Sequence, residues 1–377
     1  MRFVRLAAMA ALLLPVAAWS EDLLLGHVAS MTGSEATFGD STDKALRLAL
    51  DEQNKKGGVK GRKLVLKTLD DGGKPEEAQV AATRLIVNDK AALIFGEVAS
   101  GRSLAMAPVA DKNKVPMVSP SSTNPKVTID DITGKVRPFV FRVCFIDPFQ
   151  GTVMAKYASE TMKVKKVAIL RDVSSPYSVG LADFFAEGLK KLGGTVVSDL
   201  SFKSGDQDFK AQLTKIKQLA PEAIYVPAYY TDVGLIARQV RELGMKQPLM
   251  GGDGWDSEKL YEIAGGALDG SFFSNHYTQE SPDPKVQEFI AKYKAAYGAV
   301  PDALAAMGYD AALVAIEAMQ KAKDLSGPAI AEQLAAVKSF KAVTGTISID
   351  ANHNAVKPAV VIGIKNNEGK YAATVNP

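Results

Sequence analysis

Near-continuous apolar runs, each ending in small or polar residues, recur along the chain with helical patterns between them. DLLLGHVAS (22 to 30), KLVLKTLDD (63 to 71), AALIFGEVAS (91 to 100) and VPMVSPS (115 to 121) read as strands covered on both faces. A strand buried on both sides has no polar alternation to show. STDKALRLALDEQNKK, KPEEAQVAATRLIVNDK and GRSLAMAPVADKNK carry the helical period between them. Pro75 followed by Glu76 and Glu77 is a favourable helix start. KKGGVKGRK supplies glycines for a tight turn back into a strand. After RPFVFRVCFIDPFQG the alternation begins afresh with KKVAILRD, EAIYVPAY, QPLMGGDG and GSFFSNHY. Helices near 150 to 162, 178 to 192, 208 to 219 and 232 to 243 separate these strands, and a long helical tract and a short β section follow. Two successive sets of this kind predict an α/β fold of two open, Rossmann-like lobes.

The first twenty residues read as a leader. Arg2 and Arg5 precede an apolar stretch from Leu6 to Trp19, shorter than the roughly 20 residues that span a bilayer. Ala18-Trp19-Ser20 then offers small residues at both positions of a signal-peptidase site, which predicts export and a mature start at Glu21. No cysteine lies near that site to carry a lipid anchor. Removing the leader leaves 43 basic against 42 acidic residues, from 45 and 42. That balance gives no footprint for nucleic acid or an anionic membrane. The one cysteine, Cys144, lies in an apolar β run and reads as a buried thiol, with no intramolecular disulfide possible.

Tests for chemistry come out empty. There is no phosphate-cradling Gly-x-x-x-x-Gly-Lys, no Gly-x-Gly-x-x-Gly, no His-Glu-x-x-His and no Gly-x-Ser-x-Gly. His27, His276 and His353 are far apart in sequence, and Asp70-Asp71 lacks further metal ligands at useful spacing. Neither a cofactor nor a metal is expected, and catalysis is the weaker class.

Strand ends are more informative, because open α/β sheets bind ligands outside the carboxyl ends of their strands. FGEVASGRS sets Ser100 before a helix expected near Arg102, where it can act as N-cap beside free N–H groups. SPSSTNP packs Ser121, Ser122 and Thr123 into a second strand end; small hydroxyls there serve either a turn or an anion. Farther on, Tyr229 ends one strand, Asp253 sits between glycines with Trp255 beside it, and SSPYSVG offers Tyr177. Neutral donors on one lobe suit a carboxylate. An acid with aromatic walls on the other suits an ammonium.

With these strings in order, the whole stretch from about residue 22 resembles the leucine/isoleucine/valine-binding family of type I periplasmic binding proteins. NKKGGVKGRKLVLKTLDD, SPSSTNP, FRVCFIDPFQG, GDQDFKAQLTKIK, GMKQPLMGGDGW, GYDAALVAIEAM and VTGTISID carry the likeness. It implies a Venus-flytrap of two lobes joined by three crossing segments. Lobe one would comprise 22 to 145 with 278 to 350, and lobe two 146 to 277 with 351 to 377. By the same likeness Ser100 and Thr123 hold a ligand carboxylate, while the Ser121 backbone, with Ser122 next to it, and the Asp253 side chain receive its ammonium. Phe38, Tyr177 and Tyr229 are the aromatic walls, with Ala99 and Trp255 adjoining. Relatives commonly carry Ala-Ala at Ser121-Ser122 and glutamate at Asp253, and a disulfide some of them have would fall on Gly73 and Ala99. The implied role is a periplasmic, monomeric receptor that passes an amino acid to the membrane permease of an ABC transporter. An amide, urea or aromatic acid as ligand, or a sensory role, stays open at this level.

Overall fold

Buried β-forming runs pair in parallel here because helices cover both faces of each sheet. The computed structural model describes residues 21–377, so the expected leader lies outside the described residues. In lobe one, β1 (Leu23–Ala29), β2 (Leu64–Asp70), β3 (Leu93–Phe95), β4 (Met117–Ser119) and β5 (Val140–Arg142) form a fully parallel sheet ordered β2-β1-β3-β4-β5. Lobe two holds β6 (Lys166–Asp172), β7 (Thr195–Phe202), β8 (Ala223–Tyr225), β9 (Leu249–Gly251) and β10 (Phe272–Asn275), all parallel. After a small sheet of β11 (Phe340–Ala342), β12 (Gly345–Ile349) and β13 (Ala355–Val356), the chain returns to lobe two. There β14 (Ala359–Lys365) and β15 (Glu368–Val375) add to the β10 edge antiparallel.

The helices between strands supply the covering layers. α1 (Ala36–Lys55) buries Phe38, Thr42, Ala45, Leu46, Ala49 and Leu50, a stripe at helical spacing. α2 (Pro75–Thr83) and α3 (Ser100–Asn113) pack on the opposite face of that sheet. In lobe two, α4 (Asp147–Lys156) and α5 (Pro176–Lys191) cover one face. α6 (Lys210–Gln218), α7 (Tyr230–Glu242) and α8 (Glu258–Ala264) cover the other. α9 (Pro284–Tyr297), α10 (Ala303–Lys321) and α11 (Gly327–Ala335) come back to lobe one. α10 is buried nearly all round, as its alanine-rich, almost uncharged sequence requires. It lies so close to α1 that a Cβ on Gly308 would stand 3.0 Å from Thr42.

Three crossings join the lobes. Cys144 packs in the lobe-one core and Phe145 in that of lobe two, so the first crossing falls between them. The second follows Asn275, since Tyr277, expected in lobe two, already packs with lobe one. The third comes later than the expected break at 350. Ser348 and Ile349 pair with Val356 and Ala355, which keeps 351–356 with lobe one until Lys357 and Pro358. Among the described residues no helix is long and apolar enough to cross a membrane.

Candidate functional site

The carboxyl ends of β3, β4, β6, β8 and β9 face one another across the gap between lobes. Backbone from both sides closes that gap. Thr231 donates its hydroxyl to the Ser34 carbonyl at 2.7 Å, Asn124 Nδ2 donates to the Pro176 carbonyl at 2.8 Å, and the Thr37 and Ser257 hydroxyls meet at 2.9 Å. The cleft is therefore drawn shut around a small hollow. Five expected residues line it: Phe38, Ser121, Tyr177, Tyr229 and Asp253. Val98 and Leu304, which sequence reasoning passed over, complete its apolar wall. Tyr177 and Tyr229 stack with centroids 5.2 Å apart, and Phe38 meets Tyr229 edge-on at 5.7 Å. Burial raises both tyrosine hydroxyls, so they stay neutral donors.

Asp253 is the charged centre. It begins a short 3₁₀ turn after β9, between Gly252 and Gly254. A Cβ on Gly252 would stand 2.5 Å from the Tyr177 hydroxyl and 2.8 Å from Gln150 Nε2; one on Gly254 would stand 2.9 Å from Tyr229. Only glycine lets the partners approach this closely. Gln150 Nε2 and the Tyr177 hydroxyl donate to Oδ1 at 2.8 and 3.0 Å. His276 Nε2 stands 2.9 Å from Oδ2, and the Ser121 hydroxyl donates to the same oxygen at 3.4 Å. Burial alone raises the Asp253 carboxyl, but these bonds, His276 first, outweigh it and leave the acid below its ordinary range. Burial lowers His276. The pair is thus a neutral imidazole donating to a carboxylate. The nearest cations in sequence play no part: Arg241 binds backbone carbonyls of Ala267, Met245 and Gln247, and Lys259 pairs with Glu262.

Of the expected ligand residues at the start of α3 and at 121–124, only Ser121 lines the cavity. Ser100 is not the helix cap; Ala99 is, and Ser100 is the first helical residue. The Glu97 carboxylate accepts the Ala99 N–H at 2.5 Å, and no side chain caps the helix itself. Ser100 Oγ accepts the Asn124 N–H at 3.2 Å, which leaves its own hydrogen uncommitted. Thr123 Oγ1 is buried beside the Asp147 carboxyl. Ser122, by contrast, turns into lobe one and bonds the Glu97 and Val98 carbonyls and Ser103. It supports the strand end and does not face the cavity. Trp255 is also no wall. Its indole is fully buried, donates to the Val226 carbonyl at 2.9 Å, and fills the space Gly251 leaves free.

At the mouth a second hollow of about 830 Å³ shares Tyr229 and includes Ala99 and Arg102. Arg102 pairs with Glu35 at 2.9 Å and Glu97 at 3.2 Å and donates to the Gly73 carbonyl at 3.0 Å. It thereby ties Gly73, one of the two positions where the family likeness places a disulfide, to α3. Asp70 accepts the Met31 and Gly72 N–H groups, and Asp71 accepts the Gly73 N–H and the Ser30 hydroxyl, so both hold the loop at the end of β2. Among the described residues no group of three or more His, Cys, Asp or Glu is placed to hold a metal. Cys144 is buried, and burial pushes its thiol up to about 12, so it is inert as a nucleophile.

Residues 23–370 match the sequence model of a family described as periplasmic binding protein. The chain is 34% identical over 351 residues to Leu/Ile/Val-binding protein homolog 3 of Brucella melitensis, which covers 93% of this chain and 92% of the relative. A solved leucine-binding protein of Thermotoga maritima shares 41% identity at a TM-score of 0.89, covering 94% of this chain and 99% of that one. The substrate-binding protein of a branched-chain amino acid transporter from Streptococcus pneumoniae, solved with isoleucine, has 33% identity and a TM-score of 0.88. It covers 94% of this chain and is itself covered completely.

Proposed function

The chain belongs to the periplasmic binding protein family, and from that premise we propose that it is the exported substrate-binding protein of an ABC transporter. Its ligand is a small amino acid, branched-chain or related, held between the lobes and passed to the membrane permease. The observation that carries this reading is Asp253, a carboxylate on one lobe, facing the hydroxyl-bearing end of the other across a closed, mainly apolar cavity. A zwitterion with a short aliphatic side chain complements that arrangement. Its carboxylate meets the Ser100 hydroxyl, whose hydrogen is uncommitted, the Thr123 hydroxyl and the free N–H groups at the start of α3. Its ammonium meets Asp253 and the Ser121 backbone. Phe38, Val98 and Leu304 cover the side chain. The names of the relatives, which bind leucine, isoleucine or valine, point the same way.

The work is binding and closure, not catalysis. A ligand that touches both lobes favours the closed form only by as much as it binds that form better. The receptor works as a monomer in the periplasm once residues 1 to 20 are removed. A thermal-shift screen of leucine, isoleucine, valine and alanine against the corresponding amine-free acids tests the ligand class. Ligand at about 100 times its dissociation constant adds roughly 2.7 kcal/mol to stability. Shifts from the amine-free acids alone would refute the amino-acid reading.

A further inference from the structure

A carboxylate shut away from water is costly unless donors surround it, and burial alone drives it to pick up a proton. Asp253 is 4% exposed and is held by donors from Gln150, Tyr177 and His276, with Ser121 across the cleft. His276 differs from the other two. Gln150 also donates to Ser274 at 3.1 Å, and the Tyr177 hydroxyl also accepts the Gly254 N–H at 3.2 Å, so each serves a second partner. The imidazole serves Asp253 alone. An ionised carboxylate only accepts, so the ring proton sits on Nε2, and Nδ1 is buried with no partner among the described residues. The ring is also immobilised. It stacks on Phe145 at 3.8 Å, and its backbone N–H donates to the Asn275 side chain at 2.8 Å. Phe145 stands at the first crossing and His276 at the second, so the clamp is set into the hinge.

We propose that His276 is the positioning residue of the ammonium site: its Nε2–H keeps the Asp253 carboxylate ionised and turned toward Ser121 before ligand arrives. This rests on the reading of Asp253 as the ammonium partner, and it gives the receptor its preference for amino acids over their amine-free counterparts. Without that bond, burial pushes the Asp253 carboxyl upward against Gln150 and Tyr177 alone, and an incoming ammonium competes with a proton for it. Amino-acid affinity would then rise with pH, while the amine-free acid would bind the neutral form at least as well. The other ionisable groups around the pair are Asp147 and Asp256, both of which feel the charge of Asp253, together with Lys357, Cys144, Tyr177 and Tyr225. Asp147 and Asp256 respond to the charge of Asp253 in both ligand arms alike, so the contrast between the amino acid and its deaminated acid, and not the pH dependence alone, reads the His276 bond.

The experiment is calorimetry of wild type, His276→Leu and His276→Gln with the best amino acid and its deaminated acid, at mildly acid and mildly alkaline pH. Loss of a hydrogen bond to a charged group predicts a drop in amino-acid affinity of roughly tenfold or more in His276→Leu. The drop should shrink as pH rises and spare the deaminated acid. Glutamine returns an N–H near the Nε2 position and should restore most of the preference. An equal loss for both ligands at each pH, or an undiminished preference in His276→Leu, overturns the proposal. If that variant does not fold, nitrogen NMR of wild-type His276 decides instead. A neutral Nε2–H tautomer whose signal moves on amino-acid binding, and not with the amine-free acid, supports the proposal; an Nδ1–H tautomer refutes it. A wild type with no preference for the amine refutes the ligand reading itself, whatever the variants do.

Discussion

Ser121 Oγ on lobe one lies 3.4 Å from Asp253 Oδ2 on lobe two, the longest of the four hydrogen bonds around that carboxylate and the one that spans the cleft. The three shorter bonds come from the lobe-two and hinge side. An arriving ammonium therefore needs to displace only the Ser121 hydroxyl. Asp253→Asn keeps the shape and removes the charge, with Ser121 still able to accept from the new amide. Amino-acid affinity should fall by roughly ten- to a hundredfold, the range for a hydrogen bond between charged groups. The deaminated acid should bind about as before. Equal losses by calorimetry would make Asp253 a structural group.

The serines near the strand ends should behave differently from one another. Ser100→Ala and Thr123→Ala each remove a hydroxyl assigned to the ligand and should weaken binding roughly tenfold, and Ser100→Ala should leave the melting temperature of the free protein little changed. Ser122→Ala removes bonds to two carbonyls and to Ser103, and should lower that temperature while leaving the affinity of the folded protein nearly intact. A melting and calorimetry pair on the three variants separates the cases. The assignment fails if Ser122→Ala costs more affinity than Thr123→Ala.

Why was so much of the lobe architecture legible? Parallel strands covered on both faces leave unbroken apolar runs, and those runs mark where each strand ends. Because ligands sit at such ends, Ser121, Tyr177, Tyr229 and Asp253 could be read off one dimension and do meet in one cavity. What stayed hidden depends on direction and on pairing between distant segments. Ser122 turns its hydroxyl into lobe one, away from the cavity its neighbour Ser121 lines, which composition does not reveal. Trp255 follows Asp253 yet points into the core, since Gly251 opens a slot there. His276 ends one strand and Asp253 follows another, so their contact exists only once β9 and β10 pair. The later third crossing has the same origin: two residues of β13 are too short a run to register as a strand.

Arg102 sits among Glu35, Glu97 and the Gly73 carbonyl, and its guanidinium is 6% exposed. Burial works against its charge, but Glu97 and Glu35 more than offset that and raise it. Removing one partner of a buried pair leaves the other charge uncompensated, at about 3–5 kcal/mol. Arg102→Met should lower unfolding free energy by that order in urea titration. A change under about 1 kcal/mol would mean that water already screens the cluster.

Residues 1 to 20 predict cleavage after Ser20 on export. Intact mass spectrometry of the secreted protein should give a chain that starts at Glu21. Recovery of exported protein with Met1 to Ser20 attached would refute the leader assignment.

Asp147, the first residue of α4, is fully buried, with the Thr123 hydroxyl beside its carboxyl. Burial, and then the charge of Asp253, push its carboxyl up to about 8 against the pull of nearby Thr123 and Arg142. In the unfolded chain the group returns to the usual carboxylate range near 3.8. The folded protein therefore holds this proton more tightly than the unfolded one between those two values. Stability from Asp147 is complete below the unfolded value, falls as pH rises through the window, and is flat above about 8. The slope has an upper limit of about 1.4 kcal/mol per pH unit. Asp147→Asn cannot ionise, so it should match wild type in mild acid and exceed it progressively toward the alkaline end. Asp71, Asp232 and Asp302, each raised to about 7, titrate in both proteins and drop out of the difference. Urea denaturation of both proteins across the window reads that difference directly. A stability gap that does not widen with pH would show that Asp147 stays ionised in the folded chain.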